Sequence, residues 1–377
     1  MKKIFCILLA VLSACCLFAC ENGGSGKTDD TSSSDGIHFT FSMDGTKPES
    51  MSNIWMCPKA LDSGVLIPGW ADDLTNEANW PTLLENTSTL KLYIEMIGKM
   101  GTVDLRKIAD FVNEHHLTVC VEVAGERAAN SGVPDDNMGA AAAQAEFMTL
   151  FKFIKVGGRV DYITTDHAMA SEITGRTSTR PDMTMQDHMQ QQMEYYKYMI
   201  DKMPGLKVGA IESLGFFWVN TANGQMQCTD YTLDRVDFEN YMSELVRIAG
   251  ENGVKIDHFH IDFGMHDIES DGNYDRVLAV EDYCHSLGVK TGFIAGNAFH
   301  KKTFVLTNEE GKRLASESAA ERTLQYFEGY MQAGGRSDVL LFQRWQDVPV
   351  ELGNEETPVS NFGIFKAMLD SELFPKK

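Results

Sequence analysis

The sequence predicts a single (β/α)₈ barrel, a TIM barrel, in its folded part. Strand patterns alternate with amphipathic helix patterns along the chain, and a glycine often ends the helix just before the next strand. Loops that follow strands are long, as at 166–184 and 213–233, whereas loops that precede strands are short. In a barrel the long loops share the carboxyl-terminal face, where such proteins build their sites.

Each element follows from these patterns. The alternative fold is a doubly wound open sheet, but such sheets usually have fewer strands than this sequence predicts. Helices are predicted at 105–115, 138–155, 185–203, 234–252, 274–287, 316–334 and 362–374. Strands are predicted at or within 54–58, 90–95, 118–123, 156–166, 203–213, 251–262, 286–297 and 333–345.

The amino-terminal segment predicts export. Two lysines precede an apolar run over residues 4–18, which is too short to span a bilayer as a helix. The stretch "LFAC" that ends at Cys20 resembles the lipobox of bacterial lipoproteins, in which the cysteine is lipidated. We therefore predict a signal peptide over 1–20, a flexible Gly/Ser-rich tether over 21–37 and the barrel over 38–377. A plain signal peptide, which would leave the mature protein soluble, is the alternative.

Composition narrows the classes of partner. The formal net charge of −21 opposes binding to nucleic acid and to anionic lipid, so we expect membrane contact only through the lipid anchor at the cell envelope. Four of the eight cysteines belong to the signal segment. The other four show no metal-ligand spacing, and a chain of this length needs no disulfide framework.

The stretch "IDHFHIDFG" at 256–264 is the most informative segment of the sequence. Successive side chains of a strand point to opposite faces, so His258, His260 and Asp262 share one face and Phe259 and Ile261 share the other. The apolar face must meet the helices, which places the polar face inside the barrel. A polar interior indicates a pocket.

Other strand ends add polar and aromatic side chains at the same face. Aromatic rings beside carboxylates and amides suit a sugar, so we predict a glycan or oligosaccharide as partner. We predict that the carboxylates of Asp262, Glu212 and Asp166 are catalytic. The predicted substrate-binding residues are Trp55, Tyr93, Glu122, His258, His260, Asn297, Gln343 and Trp345.

Several of these residues also have a structural interpretation. Glu122 could serve only as an ion-pair partner of Lys91 inside the barrel. His258 and His260 could be hydrogen-bonded fillers of the interior. We expect His167 and His188, on a loop and the helix after it, to be surface residues.

In architecture the chain resembles a secreted bacterial barrel of the glycoside-hydrolase type, and no specific family matches. Retaining barrel glycosidases of the commonest type carry glutamates at the ends of strands four and seven, where this chain has "TTDH" and "AGN". Chitinase-like barrels carry D-x-x-D-x-D-x-E, and "DHFHIDFG" lacks its middle aspartate and its glutamate. Asp166 and Asp262 match α-galactosidase-like barrels by position. The resemblance implies hydrolysis of a glycan by paired carboxylates.

Two other functions remain open from the sequence. One is a glycan-binding barrel without catalysis, which the departures at strands four and seven favour. The other is a metal-dependent sugar isomerase, epimerase or hydrolase, with His258, His260, Asp262 and Glu212 as the oxygen and nitrogen ligands. The leading hypothesis, hydrolysis by paired carboxylates, needs no metal and no cofactor.

Overall fold

Eight parallel strands form a closed barrel, which confirms the predicted fold class. The computed structural model describes residues 53–375 except 63, 130–132, 174–179, 181, 227–235, 297–307, 345–347 and 350. The strands follow one another around the barrel in chain order, and the last pairs with the first. They are β1 Ile54–Cys57, β2 Thr87–Tyr93, β3 Thr118–Val123, β4 Tyr162–Asp166, β5 Lys207–Ser213, β6 Ile256–Asp262, β7 Lys290–Ala295 and β8 Val339–Gln343.

One main helix follows each strand. These are α1 Pro81–Asn86, α2 Thr102–Glu114, α3 Met138–Lys155, α4 Met185–Lys202, α5 Phe238–Glu251, α6 Asp275–Ser286, α7 Glu309–Gln332 and α8 Asn361–Asp370. Short helices lie in the loops at Trp70–Leu74, Ile94–Lys99, Ala170–Ile173 and Met265–Asp271, with 3₁₀ turns at Glu77–Asn79, Gly125–Ala128, Asp135–Asn137 and Leu214–Phe216. In the described ranges no helix is long and apolar enough to cross a membrane.

Two small sheets project from the loops. Leu61–Asp62 pairs antiparallel with Val65–Leu66 in the loop after β1. In the loop after β5, Phe217–Thr221 pairs with Gly224–Met226 and with Val236–Asp237. Both lie on the side of the barrel at which the strands end, as the long loops predict.

The main hydrophobic core fills the space between strands and helices. Phe259 and Ile261 of β6 are buried there, as the alternation predicts, and so is Phe263, directly after the strand. A separate, smaller cluster lies inside the barrel, and it consists of Trp55, Cys120, Ile211, Ile294, Val339 and Leu341 with Tyr162 against it. The barrel interior is thus apolar on some strands and polar on others.

Two glycines make room for the histidines of β6. A Cβ atom at Gly209 of β5 would overlap the backbone oxygen and the ring of His258. A Cβ atom at Gly292 of β7 would lie 2.7 Å from Cδ2 of His260. Both histidines are buried between these strands, so the glycines and the histidines fit one another.

We predict that Gly209→Ala destabilises the barrel, because the added methyl group collides with a backbone atom that cannot move alone. Overpacking of this kind costs about 1–3 kcal/mol of unfolding free energy. Chemical denaturation followed by circular dichroism measures the change. Gly250→Ala in α5, where a Cβ atom would meet nothing within 4 Å, is the matched control and should show no loss. Equal stability of the two variants would contradict the packing described above.

Candidate active site at the carboxyl-terminal mouth

A cavity of about 530 Å³ lies over one side of the barrel mouth. It is formed by the ends of β1 to β4 and β8 together with the small sheet after β1. Two of its carboxylates, Glu122 and Asp166, come from neighbouring strands. The lining residues are Lys59, Ala60, Leu61, Gly64, Tyr93, Ile94, Glu95, Glu122, Val123, Ala124, Arg127, Asp166 and Arg344.

Glu122 sits in a buried cluster with Lys91 and Gln343. Lys91 Nζ lies 2.6 Å from Glu122 Oε2 and donates to Gln343 Oε1 at 2.7 Å. Gln343 Nε2 donates to Glu122 Oε2 at 3.3 Å. The Lys91 side chain is fully buried and that of Glu122 is 11% exposed. The cluster therefore fixes the Glu122 carboxyl group at the floor of the cavity.

Burial governs the pKa values of this cluster. Desolvation raises the pKa of Glu122 above its usual 4.5, and the nearby charge of Asp166 adds to the increase, although Lys91 opposes both. Burial also opposes the charge on Lys91, but Glu122 outweighs it and the pKa of Lys91 lies above 10.5. Glu122 therefore holds its proton to a higher pH than an exposed glutamate does, and its ionised form stabilises the charge on Lys91.

His167 joins the ends of β4 and β6. Its Nδ1 lies 2.6 Å from Asp166 Oδ1, and its Nε2 lies 3.3 Å from Asp262 Oδ2. The backbone of His167 has φ +48°, in the left-handed region, and its N–H donates to Ile211 O at 2.9 Å. This unusual backbone conformation turns the imidazole back toward the two aspartates.

The charges around His167 keep Asp166 ionised. Burial opposes protonation of His167, but its contacts with Asp166 and Asp262 outweigh burial and hold its pKa well above 6.5. Burial likewise opposes ionisation of Asp166, but His167 and then Arg127 hold its pKa below 3.8. Arg127 Nη2 donates to the Asp166 backbone oxygen at 2.9 Å and lies 3.6 Å from Oδ2.

A buried carboxylate positions the loop that carries Arg127. Glu146 of α3 accepts hydrogen bonds from the backbone N–H groups of Ala124 and Gly125 at 2.9 and 3.2 Å, and from Tyr195 Oη at 2.6 Å. Gly125 has φ +66°, a conformation that favours glycine. These hydrogen bonds fix the backbone of the loop after β3. The Arg127 side chain can then reach Asp166 at the end of β4.

The predicted position of Glu212 is wrong. Ile211 is the residue of β5 that faces the barrel interior, so the neighbouring Glu212 faces the helices. Glu212 is fully buried there and accepts a hydrogen bond from Tyr241 Oη of α5 at 2.9 Å. Burial raises its pKa to about 7. It does not line the cavity with Glu122 and Asp166.

Trp55 and His258 lie at the opposite end of the barrel from the predicted rim. Both line a cavity of about 230 Å³ with residues at the strand starts, including Thr118, Tyr162 and Lys290. His258 Nε2 contacts Thr164 Oγ1 at 2.8 Å, and its Nδ1 lies 3.6 Å from Asp257. Four residues along a strand span roughly 13 Å, so His258 cannot contact Asp262.

His260 is enclosed in the barrel interior. Its side chain is fully buried, and neither ring nitrogen has a hydrogen-bond partner in the described part of the chain. The rings of Trp55 and His258 pack against it at 5.1 and 4.7 Å between centroids. Burial holds the pKa of His260 well below 6.5. A neutral imidazole therefore occupies this position at neutral pH.

The ligand set predicted for a metal is not brought together. His258 and Glu212 lie on different faces and at different heights of the barrel wall. Across the described ranges, no three His, Cys, Asp or Glu side chains are grouped so that they could hold a metal ion. Three predicted residues, Asn297, Trp345 and the lipidation site Cys20, lie outside the described residues.

Sequence reasoning misjudged two histidines and missed one arginine. The prediction that His167 and His188 are surface residues is wrong. His167 is half-buried between two aspartates, and His188 is buried with its Nδ1 2.8 Å from Glu126 Oε1. For His167 the available signal was its position directly after Asp166 at a strand end. Arg127 lies in a loop with no pattern that would single it out.

Comparisons with known proteins extend only to the fold. The sequence matches no family model and no curated protein. Among solved structures it is similar to an intracellular xylanase from Thermoanaerobacterium saccharolyticum, with 12% identity, TM-score 0.47 and coverage of 80% of this chain and 93% of that one. It is also similar to a thermostable mutant of a xylanase from Cellvibrio japonicus, with 11% identity, TM-score 0.45 and coverage of 84% of this chain and 97% of that one. A structure of L-ribulose 3-epimerase is similar with 11% identity, TM-score 0.44 and coverage of 84% of this chain and 92% of that one.

We predict that His260 makes the protein acid-sensitive. Its folded-state pKa lies below the value near 6.5 of an unfolded chain, so below about pH 6.5 the unfolded state binds more protons and stability falls. One such group contributes at most about 1.4 kcal/mol per pH unit. His260→Leu should reduce the loss of unfolding free energy between pH 6.5 and 5. His116→Asn, at an exposed position, is the control. An unchanged pH dependence in His260→Leu would refute the assignment.

Proposed function

We propose that the protein hydrolyses a glycan at the carboxyl-terminal mouth, with Glu122 as general acid and Asp166 as its ionised partner. One observation carries the proposal: two carboxylates line the same cavity, and their surroundings shift their pKa values in opposite directions. Such a pair can divide acid and base roles between its members. The proposal keeps Asp166 from the sequence-based assignment, in which Asp262 acted with Glu212 or Asp166, and replaces the other two carboxylates with Glu122.

Glu122 would protonate the oxygen of the departing sugar. Burial raises its pKa above 4.5, so it holds its proton to a higher pH than an exposed glutamate, and Lys91 at 2.6 Å stabilises the carboxylate that forms when the proton leaves. Asp166 would act on the anomeric carbon, either directly or through a water molecule. His167 and Arg127 keep Asp166 ionised for this role.

The other groups at the mouth would position the substrate. Asp262 contacts Nε2 of His167, whose Nδ1 contacts Asp166, and so it helps to orient Asp166. The Tyr93 hydroxyl is buried beside the cavity with no oxygen or nitrogen partner among the described residues, and it could bind a sugar hydroxyl. Gln343 orients Glu122. Asn297 and Trp345 keep the binding roles predicted from sequence.

We place the enzyme in the bacterial cell envelope, anchored through a lipid on Cys20. The support is the signal pattern that ends in "LFAC" and the polar tether after it. Barrel residues would then act on glycan close to the membrane, periplasmic or at the cell surface. Metabolic labelling with a fatty acid, lost in Cys20→Ala, tests the anchor.

We predict that Glu122→Gln and Asp166→Asn each reduce glycan turnover by about 10²–10⁴-fold, the usual contribution of an acid–base group. A screen of polysaccharides with detection of reducing ends identifies a substrate, and kcat/KM is then compared. Glu212→Gln is the matched control, because this buried glutamate lies outside the cavity. Full activity in Glu122→Gln would exclude the proposed general acid.

The pH dependence of kcat/KM should follow the raised pKa of Glu122 and the lowered pKa of Asp166. Activity should fall on the alkaline side as Glu122 loses its proton at a pKa above 4.5. On the acid side it should fall only as Asp166 protonates, at a pKa below 3.8. In Glu122→Gln the alkaline limb due to Glu122 should disappear from any residual activity. If the alkaline limb persists unchanged in Glu122→Gln, the titrating group is not Glu122.

A glycan-binding barrel without catalysis is the second candidate. The observation that favours it is the short ion pair of Glu122 with Lys91, which ties the carboxyl group to the barrel floor in the unliganded protein. Saturable binding of an oligosaccharide without product after long incubation would establish this function. Continuous product release would exclude it.

A further inference from the structure

We infer that the substrate carries an acidic sugar, a hexuronic acid, whose carboxylate binds Arg127 at the barrel mouth. This inference rests on the proposed function, since it names the substrate class for the same cavity. The evidence is the distribution of charge in the lining and the unused donors of one guanidinium group.

The carboxylates of the cavity lining already have cationic partners. Glu95 is paired with Lys99, Glu122 with Lys91, and Asp166 with His167. None of these three cations lines the cavity. Each of these carboxylates thus has a cationic partner outside the lining, and Arg127, within the lining, adds a longer contact of 3.6 Å to Asp166.

Arg127 is a lining cation with spare donors. Among the described residues it donates only through Nη2, to the backbone oxygen of Asp166, and the Asp166 carboxylate is 3.6 Å away. Nε and Nη1 have no partner in that part of the chain, and the side chain is 31% exposed. A guanidinium edge with two parallel N–H groups matches a carboxylate in geometry as well as charge.

The overall charge of the protein makes local positive charge necessary for an acidic substrate. The net charge of −21 repels an acidic substrate at long range, so such a substrate requires local positive charge where it binds. Lys59 and Arg344, both buried, are the other cationic residues of the same lining.

The test compares oligosaccharides that contain a hexuronic acid with the same compounds after reduction of each carboxyl group to a primary alcohol. The ratio of kcat/KM for the acidic and the reduced form measures recognition of the carboxylate alone. Any effect of Arg127 on Asp166 changes both values together and cancels in the ratio. We expect the wild-type protein to prefer the acidic form.

Arg127→Gln should lower this ratio by about 10- to 100-fold, the loss expected when hydrogen bonds between two charged groups are removed. Arg127→Lys should recover only part of the preference, because lysine keeps the charge and loses the paired donors. Arg247→Gln is the control, since Arg247 forms exposed ion pairs on α5. It should leave the ratio unchanged.

The outcomes separate the two proposals. Hydrolysis of the reduced forms as fast as the acidic ones would overturn the inference and leave the hydrolase intact. If no form is hydrolysed, calorimetric binding decides: selective binding of the acidic form that requires Arg127 supports the inference while hydrolysis is rejected. Equal binding of both forms, or none, would overturn the inference as well.

Discussion

The buried ion pair of Lys91 and Glu122 is the interaction on which the rest of the mouth depends. Removing two charges from water is costly, and their attraction offsets the cost only when the remaining hydrogen bonds are satisfied. Gln343 of β8 supplies such a bond to each partner. Three strands, β2, β3 and β8, are thereby tied together at one height. Because the pair holds Glu122 at the cavity, a carboxyl group rather than an aliphatic side chain forms this part of the lining.

Rigid elements then bring the second carboxylate to this cavity. Asp166 ends β4, beside β3, and the left-handed backbone of His167 directs an imidazole between Asp166 and Asp262. The loop after β3 adds Arg127, and Glu146 holds that loop through its backbone N–H groups. Each charged group of the site is thus oriented by a neighbour that does not meet the substrate. Preorganisation of this kind lets electrostatic effects act without rearrangement during reaction.

Much of the fold and part of the site follow from the sequence. Alternation along β6 correctly placed His258 and His260 inside the barrel, because Phe259 and Ile261 on the opposite face are apolar and meet the helices. The same reasoning failed for Glu212, since the inward position of β5 is taken by apolar Ile211 and a buried tyrosine on α5 satisfies the carboxylate. Polarity alone does not reveal which face a strand turns inward. Trp55 was misplaced because alternation gives the face of a residue and not its height in the barrel. The roles of His167 and Arg127 depend on loop backbone conformation, which no pattern of residue types encodes.

The most direct test of the account is the protonation state of Glu122. Carbon-detected NMR of side-chain carboxyl groups labelled with ¹³C, with the Glu122 signal assigned by its loss in Glu122→Gln, gives its pKa in the intact protein. The account predicts titration above 4.5, because burial and the charge of Asp166 together outweigh Lys91. A Glu122 that titrates at or below 4.5 would be ionised beside Lys91 throughout the working range. It could not act as the general acid, and the central claim would fail.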